Sequence, residues 1–212
     1  MADIGILGSG RVATALANKL AGARYTLSVG VLGVAAAAAK WQGPEVSFGS
    51  HAETARAAPV IFNATPGHTT LDMLSSLRED LAGKILIDVS NATLRAENGM
   101  PGNLLYPNGS LAEQIQKALP ETRIVKTLNT MLFTVMTNPS GLKVPPTVFV
   151  SGDDANAKGV AKDLLEDLGW RPEWIEDLGD IASARGPEAM ALLVPSVIRA
   201  HGLAPFAFAI AR

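Results

Sequence analysis

Residues 4–13 read IGILGSGRVA and predict a buried strand, a tight glycine turn and the first turn of a helix. Gly8, Gly10 and Ala13 match the G-x-G-x-x-G/A spacing of a dinucleotide-binding turn. Gly8 can adopt a backbone conformation that a side chain hinders, and Gly10 leaves room for a pyrophosphate beside the backbone. The small Ala13 lets the helix lie close to the strand, and the amides that begin this helix would face the phosphates.

The sequence around the glycines supports this interpretation, since glycine turns between a strand and a helix are common by themselves. An amphipathic helix follows from about Arg11 to Leu20, and a second strand is predicted at residues 25–29. That spacing is typical of a βαβ unit. We therefore favour a dinucleotide-binding turn over a plain strand–helix connection.

The composition limits the classes of protein to which this chain can belong. With 212 residues, 48% of them hydrophobic, the chain can form one α/β domain with a substantial core and a small appendage. A formal net charge of −2 gives no electrostatic case for binding nucleic acid or an anionic membrane. The absence of cysteine excludes thiolate chemistry, and three widely spaced histidines argue against a metal site. Because no apolar run approaches the ~20 residues of a membrane span and a strand begins just after Met1, we expect a cytoplasmic protein without a signal peptide.

Strand and helix signals alternate along the chain, which predicts a Rossmann-like, doubly wound and mostly parallel sheet. The later predicted strands lie at residues 46–48, 60–63, 85–89, 123–127, 147–150 and 171–175. A loop rich in Gly, Asn and Pro is predicted from Asn98 to Gly109. We assign residues 1–178 to a dinucleotide-binding domain and residues 179–212 to a C-terminal helical segment.

The C-terminal segment is unusually apolar. The pattern predicts a helix from Ala189 to Ile198 with Pro195 inside it, and Phe206, Phe208 and Ile210 follow. One small domain has too little chain to bury this surface, and a monomer rarely exposes such a patch. We therefore predict a homodimer that uses this segment as its contact.

Polar and nearly uncharged segments follow the predicted strands, where open α/β sheets bind their ligands. The candidate cofactor-binding residues are Gly8, Ser9, Gly10 and Arg11 after the first strand, Val31 and Leu32 after the second, Ala64, Thr65, Pro66 and His68 after the fourth, Ser90 and Asn91 after the fifth, and Asn129 and Met131 after the sixth. Such a lining could orient a nicotinamide ribose and carboxamide, but it offers no evident acid or base. The alternative is that these Asn and Thr residues only cap helices, and that His68 is solvated.

The end of the second strand usually decides between NAD and NADP. An Asp or Glu there binds the ribose 2′-hydroxyl, whereas an Arg accepts the 2′-phosphate. Residues 28–33 contain neither an acid nor a base. The chemistry of this stretch therefore leaves the choice between NADP and NAD open.

Five short motifs in order extend the argument beyond the glycine turn: GSG at residues 8–10, NATP at 63–66, DVSN at 88–91, KTLNT at 126–130 and FVSGDD at 149–154. Together they resemble the coenzyme F420-dependent NADP oxidoreductase family over nearly the whole chain, and Phe206-Ala207-Phe208 resembles the end of its shorter bacterial members. The resemblance implies an NADP-binding Rossmann domain with a small helical C-terminal portion. It also implies direct hydride transfer between NADPH and a deazaflavin (coenzyme F420) or flavin-like acceptor.

The resemblance also implies roles for individual residues. Ser9, Arg11 and Val12 would meet the pyrophosphate, Thr65 and Pro66 would lie along the cofactor, and Asn91, Asn129 and Met131 would border the ring site. One departure concerns the 2′-phosphate. The family places a small hydroxyl residue and then Arg where this chain has Val31 and Leu32, and it usually has charges where this chain has residues 35–39.

Two other functions compete with this one. An imine or β-hydroxyacid reductase has a similar N-terminal domain, but it needs a large helical substrate domain, and little chain follows the last predicted strand here. A dinucleotide-binding sensor or partner protein would bind the cofactor without turnover, and Leu32 in place of Arg is consistent with that role. Oxidation of NADPH in the presence of a deazaflavin or flavin discriminates between enzyme and sensor.

Overall fold

The computed structural model describes residues 3–23, 25–97 and 99–211. Met1, Ala2 and Arg212 at the predicted domain limits, and Asn98 at the start of the predicted loop, lie outside the described residues. The strands are β1 (Ile4–Leu7), β2 (Leu27–Gly30), β3 (Ser47–Gly49), β4 (Val60–Asn63), β5 (Ile85–Asp88), β6 (Thr93–Arg95), β7 (Pro101–Leu104), β8 (Arg123–Thr127), β9 (Val148–Ser151) and β10 (Ile175–Gly179).

Eight of these strands form one sheet in the order β10-β9-β8-β5-β4-β1-β2-β3. Neighbouring strands are parallel except β8 and β9, which pair antiparallel. The helices are α1 (Arg11–Gly22), α2 (Val34–Lys40), α3 (His51–Ala57), α4 (Gly67–Ser75), α5 (Arg78–Leu81), α6 (Leu111–Ala118), α7 (Phe133–Met136), α8 (Ala155–Asp167), α9 (Arg185–Ala189) and α10 (Val194–His201). The predicted Rossmann-like, mostly parallel sheet with a helical C-terminal part is confirmed.

The sheet is buried on both faces, as a parallel sheet with helical crossovers requires. Alternate side chains of the central strands point to opposite faces. One core contains Ile6, Val29, Phe62, Ile87, Val125, Leu16 and Leu164. The opposite core contains Leu7, Ile61, Leu86, Ile124, Leu74 and Ile115. This double burial fixes the carboxyl ends of β1, β4, β5 and β8 at one edge of the sheet.

The glycine turn connects β1 to α1 as a rigid corner. Gly8 has a φ angle of +106°, which L side chains rarely adopt, and a Cβ there would lie 2.8 Å from the carbonyl oxygen of Ala64. The turn is therefore packed directly against the end of β4.

Two predicted segments differ from the structure. The predicted strand at 171–175 is wrong, because Pro172 begins a 3₁₀ turn through Trp174 and β10 starts only at Ile175. Proline has a fixed φ and no amide donor, so it favours a turn over a paired strand. The predicted loop after residue 98 contains β7, which pairs antiparallel with β6. Turn-forming residues in this stretch conceal a two-stranded hairpin.

The C-terminal helix also differs in detail. A 3₁₀ turn at Met190–Leu193 separates α9 from α10, so Pro195 lies in the first turn of α10 rather than inside a longer helix. Proline is tolerated there because the first helical amides have no intrahelical partner. Leu192 and Leu193 are about half exposed, at 46% and 50%. No helix within the described ranges is long and apolar enough to cross a membrane.

Candidate functional site

Two cavities meet at the glycine turn. The larger cavity, of about 570 Å³, lies beyond the ends of β1, β4, β5 and β8. The smaller cavity, of about 470 Å³, lies beyond β1 and β2. Both are lined by Gly8, Ser9, Thr65 and Pro66, which form the wall between them. Because β1 has β2 on one side and β4 on the other, this wall stands where the strand order reverses, the usual ligand position in such sheets.

The structure brings the candidate residues together around this wall. The larger cavity is lined by Gly8, Ser9, Gly10, Arg11, Val12, Ala64, Thr65, Pro66, His68, Ser90, Asn91, Asn129 and Met131. Val31 and Leu32 line the smaller cavity instead. Five strand ends therefore contribute to one continuous cleft, although they are distant in sequence.

The start of α1 suits the pyrophosphate of a dinucleotide. Gly10 is the N-cap residue, no side chain caps the helix, and its first turn holds no acidic residue. A Cβ placed on Gly10 would meet nothing within 4 Å. The first amides of a 12-residue helix thus face open space that a phosphate can occupy. Arg11 lies over the ring of Phe133, with 5.3 Å between guanidinium carbon and ring centroid.

A buried hydrogen-bond network supports the floor of the larger cavity. Asn63 donates to the Asp88 carboxylate at 2.7 Å, and the Ser90 hydroxyl donates to the same oxygen at 2.8 Å. The side-chain oxygen Oδ1 of Asn63 accepts a hydrogen bond from the Thr65 hydroxyl at 2.6 Å. Asp88 therefore holds the residues that follow β4 and β5 in place and does not itself line the cavity.

The buried side chain of Lys126 forms ion pairs with this network. Its ammonium is 2.7 Å from Asp88 and 3.0 Å from Glu188, and it also donates to the carbonyl of Ser90. The Glu188 carboxylate accepts the amide of Leu111 at 2.7 Å, at the start of α6. Burial alone lowers the pKa of Lys126, but the two carboxylates outweigh it and raise the pKa above its usual range. The ion pairs thus join α9, α6 and the sheet behind the site.

Asn91 and Asn129 form a reciprocal pair across the ends of β5 and β8. The Asn91 amide donates to the Asn129 backbone carbonyl at 2.7 Å, and the Asn129 amide donates to the Asn91 side-chain oxygen at 2.9 Å. Leu128 has a φ of +62°, which is unusual for a residue other than glycine. Such strained conformations concentrate at functional sites, and this one turns the chain immediately before Asn129.

Sequence reasoning missed several cavity residues. The larger cavity is also lined by Gly67, Val89, Thr93, Arg95, Leu132, Phe133 and Met136. Only glycine fits at position 67, because a Cβ there would collide with the backbone carbonyl oxygen of Asn91. Thr93 and Arg95 come from the hairpin that the turn-rich composition concealed. The apolar run LFTVM at residues 132–136 directly follows the last polar strand end, a signal that could have placed Phe133 and Met136 at the site.

The smaller cavity suits an uncharged nucleoside better than a 2′-phosphate. Val31 is buried, whereas Leu32 is 95% exposed, and the lining includes Ala37 and Met73. His51 is its one titratable lining residue among the described residues, and burial lowers the pKa of this imidazole, which favours the neutral form near pH 7. The lining therefore offers adenosine an apolar surface and offers a 2′-phosphate no cation.

The described ranges contain no group of three His, Asp or Glu side chains arranged to hold an ion. His68 lines the larger cavity but is exposed. The site is thus a cleft of two halves, one lined by both polar and apolar groups and one largely apolar, with the uncapped start of α1 beside the wall that they share.

The fold and the cleft define the class: a Rossmann-fold protein of the dinucleotide-binding type. Residues 3–92 match the family described as NADP oxidoreductase, coenzyme F420-dependent. A structure from Arthrobacter sp. FB24, provisionally named an F420-dependent NADP-reductase, is 36% identical and covers 100% of both chains with a TM-score of 0.89. The chain belongs to the coenzyme F420-dependent NADP oxidoreductase family, a family of NAD(P)-dependent oxidoreductases.

Two curated relatives match over part of their length. Metalloreductase STEAP3 of Rattus norvegicus is 31% identical over 199 residues, which is 91% of this chain and 37% of that protein. The F420-dependent NADP reductase of Methanocaldococcus jannaschii is 29% identical over 117 residues, 55% of this chain and 52% of that protein. A Streptomyces aurantiacus imine reductase shares the fold at 14% identity and a TM-score of 0.64, and the chain covers 61% of it.

Proposed function

We propose that this protein transfers a hydride between a nicotinamide dinucleotide and a deazaflavin (coenzyme F420) or flavin-like acceptor. The observation that carries the proposal is the pair of cavities that share the glycine turn as their common wall. The adenosine half of a dinucleotide would occupy the smaller cavity, and its pyrophosphate would lie at the start of α1. The nicotinamide would then enter the larger cavity, whose volume of about 570 Å³ is in the range of small-molecule sites.

The residues of the cleft suit a reaction that depends on positioning. A bound dihydronicotinamide supplies the hydride and is oxidised as the acceptor ring is reduced. The Asn91–Asn129 pair offers hydrogen-bonding groups at the floor, while Met131, Phe133 and Met136 supply an apolar wall that excludes water. Since direct transfer between two bound rings mainly requires proximity and orientation, a cavity whose described lining holds no Asp, Glu or Lys is consistent with it.

Anaerobic turnover tests this proposal. NADPH and NADH are each mixed with the protein and with a deazaflavin or flavin mononucleotide, and loss of absorbance at 340 nm is followed. We expect oxidation that needs both the protein and the acceptor. A dinucleotide-binding sensor would bind the cofactor and show no turnover, and that result would refute the proposed function.

We propose that the cofactor is bound with little preference between NADP and NAD. The Leu32→Arg variant should bind NADP about tenfold more tightly relative to NAD than the unmodified protein does. One hydrogen bond to a charged group contributes about 1.5–3 kcal/mol, and the exposure of residue 32 to solvent reduces this contribution. Val31 is left unchanged because it is buried. Titration of both cofactors at two ionic strengths measures the gain, which should shrink as salt rises.

Val144→Arg serves as the matched control, since it adds the same charge at an exposed apolar position outside both cavities. This control variant should leave the ratio of the affinities for NADP and NAD unchanged. A hundredfold preference for NADP already present in the unmodified protein would contradict this account. Arg11 or Lys40, which line a neighbouring cavity with Ser9 and Gly10, would then be reaching the phosphate.

We propose that the protein is a homodimer joined through its C-terminal segment. Leu193 is 50% exposed and Leu203 is 78% exposed, and no residue of α10 is fully buried within one chain. Light scattering at micromolar concentration should give the mass of two chains, and Leu193→Glu should shift the protein toward one chain. A monomeric unmodified protein would overturn this proposal.

A further inference from the structure

The hairpin of β6 and β7 places an arginine at the rim of the larger cavity. Thr93 and Arg95 belong to β6, and both line the cavity. Arg95 is exposed, and no ion pair within the described ranges includes it. A guanidinium at the edge of a cleft is thus available to a ligand.

The charge on the cavity wall has one sign. Arg11 and Arg95 are the charged residues among the described residues that line it, and none of those residues is Asp or Glu. The nearest buried carboxylates, Asp88 and Glu188, are both paired with Lys126 behind the wall. A cleft lined by one sign of charge concentrates ligands of the opposite sign.

The two arginines lie on different elements, and the proposed arrangement gives each a different anion. Arg11 begins α1, beside the position proposed for the dinucleotide pyrophosphate. Arg95 belongs to the hairpin, and we assign its part of the cavity to the second ligand. An arginine fork is well matched to phosphate oxygens.

We infer that Arg95 binds an anionic phosphate group on the hydride acceptor and thereby selects phosphorylated over unphosphorylated ring compounds. This inference rests on the proposed function, because it assigns the outer part of the larger cavity to the acceptor. It makes Arg95 a specificity residue for the acceptor's tail, separate from the residues that hold the dinucleotide.

Flavin mononucleotide and riboflavin test the inference, because they share one ring system and differ only in the phosphate. Their dissociation constants are measured by flavin fluorescence with saturating oxidised dinucleotide, so that no turnover occurs. Flavin mononucleotide should bind about tenfold more tightly than riboflavin at low salt, and the difference should shrink as salt rises. Flavin adenine dinucleotide, whose two phosphates form a pyrophosphate bridge with no terminal phosphate, should bind more weakly than flavin mononucleotide.

Arg95→Gln should remove the preference for flavin mononucleotide while leaving riboflavin binding unchanged. Arg78→Gln is the matched control, since Arg78 lies on α5 and lines neither cavity of the cleft. If the unmodified protein and Arg95→Gln prefer flavin mononucleotide over riboflavin to the same degree, the inference is overturned. The absence of any flavin binding would also overturn it.

The rate measurement separates this inference from the proposed function. If flavin mononucleotide binds in an Arg95-dependent manner but NAD(P)H is never oxidised, the inference stands and the proposed function fails. If both flavins are reduced with the same KM in the unmodified protein and in Arg95→Gln, the proposed function stands and the inference fails. The expected result is a rise of about tenfold in KM for flavin mononucleotide in Arg95→Gln, with kcat little changed.

Discussion

The Gly10→Val variant will bind NADPH and NADH at least about a hundredfold more weakly than the unmodified protein, a loss of about 2.8 kcal/mol. A Cβ at Gly10 meets nothing within 4 Å, so the isopropyl group fits the unliganded fold. It would, however, fill the space at the start of α1 that the pyrophosphate needs. Fluorescence titration of the reduced dinucleotide measures the loss directly.

Thermal unfolding separates this effect from damage to the fold. Exchanging Gly for Val at an N-cap costs about 1 kcal/mol, which lowers the Tm of a chain of this size by about 2–4 °C. The rise in Tm on adding dinucleotide should disappear in Gly10→Val. Gly22→Val, the same change in open space at the other end of α1, should keep both binding and the ligand-induced rise. Undiminished binding by Gly10→Val would mean that the turn is only structural.

The Lys126→Met variant will lose about 3–5 kcal/mol of unfolding free energy, because it leaves two buried carboxylates without their cation. Lys126 is 1% exposed, and Asp88 and Glu188 are 2.7 and 3.0 Å from its ammonium. For a chain of this length, that loss lowers the Tm by about 6–20 °C. Urea unfolding of the two proteins measures it.

Two further variants keep this prediction testable. Lys117→Met removes an exposed lysine of α6 and should change stability by less than about 0.5 kcal/mol. Glu188→Gln added to Lys126→Met should recover part of the loss, since it removes one uncompensated charge. If Lys126→Met is as stable as Lys117→Met, the buried ion pairs do not hold α9 and the site floor together.

The glycine turn and the polar strand ends could be predicted because they depend on local sequence. Gly8 and Gly10 have fixed spacing, and strands that run parallel bring their carboxyl ends to the same edge of the sheet. The family could also be recognised from motifs at those ends, and that prediction is confirmed by the match over residues 3–92 and the full-length structural neighbour.

The other features of the site depend on contacts between residues that are distant in sequence. Lys126 lies in β8, 62 residues before Glu188 in the sequence, and only the fold brings the two charges within 3.0 Å of each other. Strand β7 lies inside the stretch whose Gly, Asn and Pro content predicted a loop, so the hairpin that carries Arg95 was not predicted. The positive φ of Leu128 could not be predicted either, because residues other than glycine rarely adopt it.

Hydride transfer within the larger cavity is the central claim, and isotope tracing tests it most directly. The protein is mixed anaerobically with NADPH or NADH carrying deuterium at one or the other position of C4, and with a 5-deazaflavin. A deazaflavin is chosen because hydrogen delivered to its C5 is held on carbon, where mass spectrometry can detect it. The account predicts one deuterium in the reduced deazaflavin from one of the two labelled stereoisomers and none from the other. Reduced product without deuterium from either stereoisomer, or no reduced product at all, would contradict it.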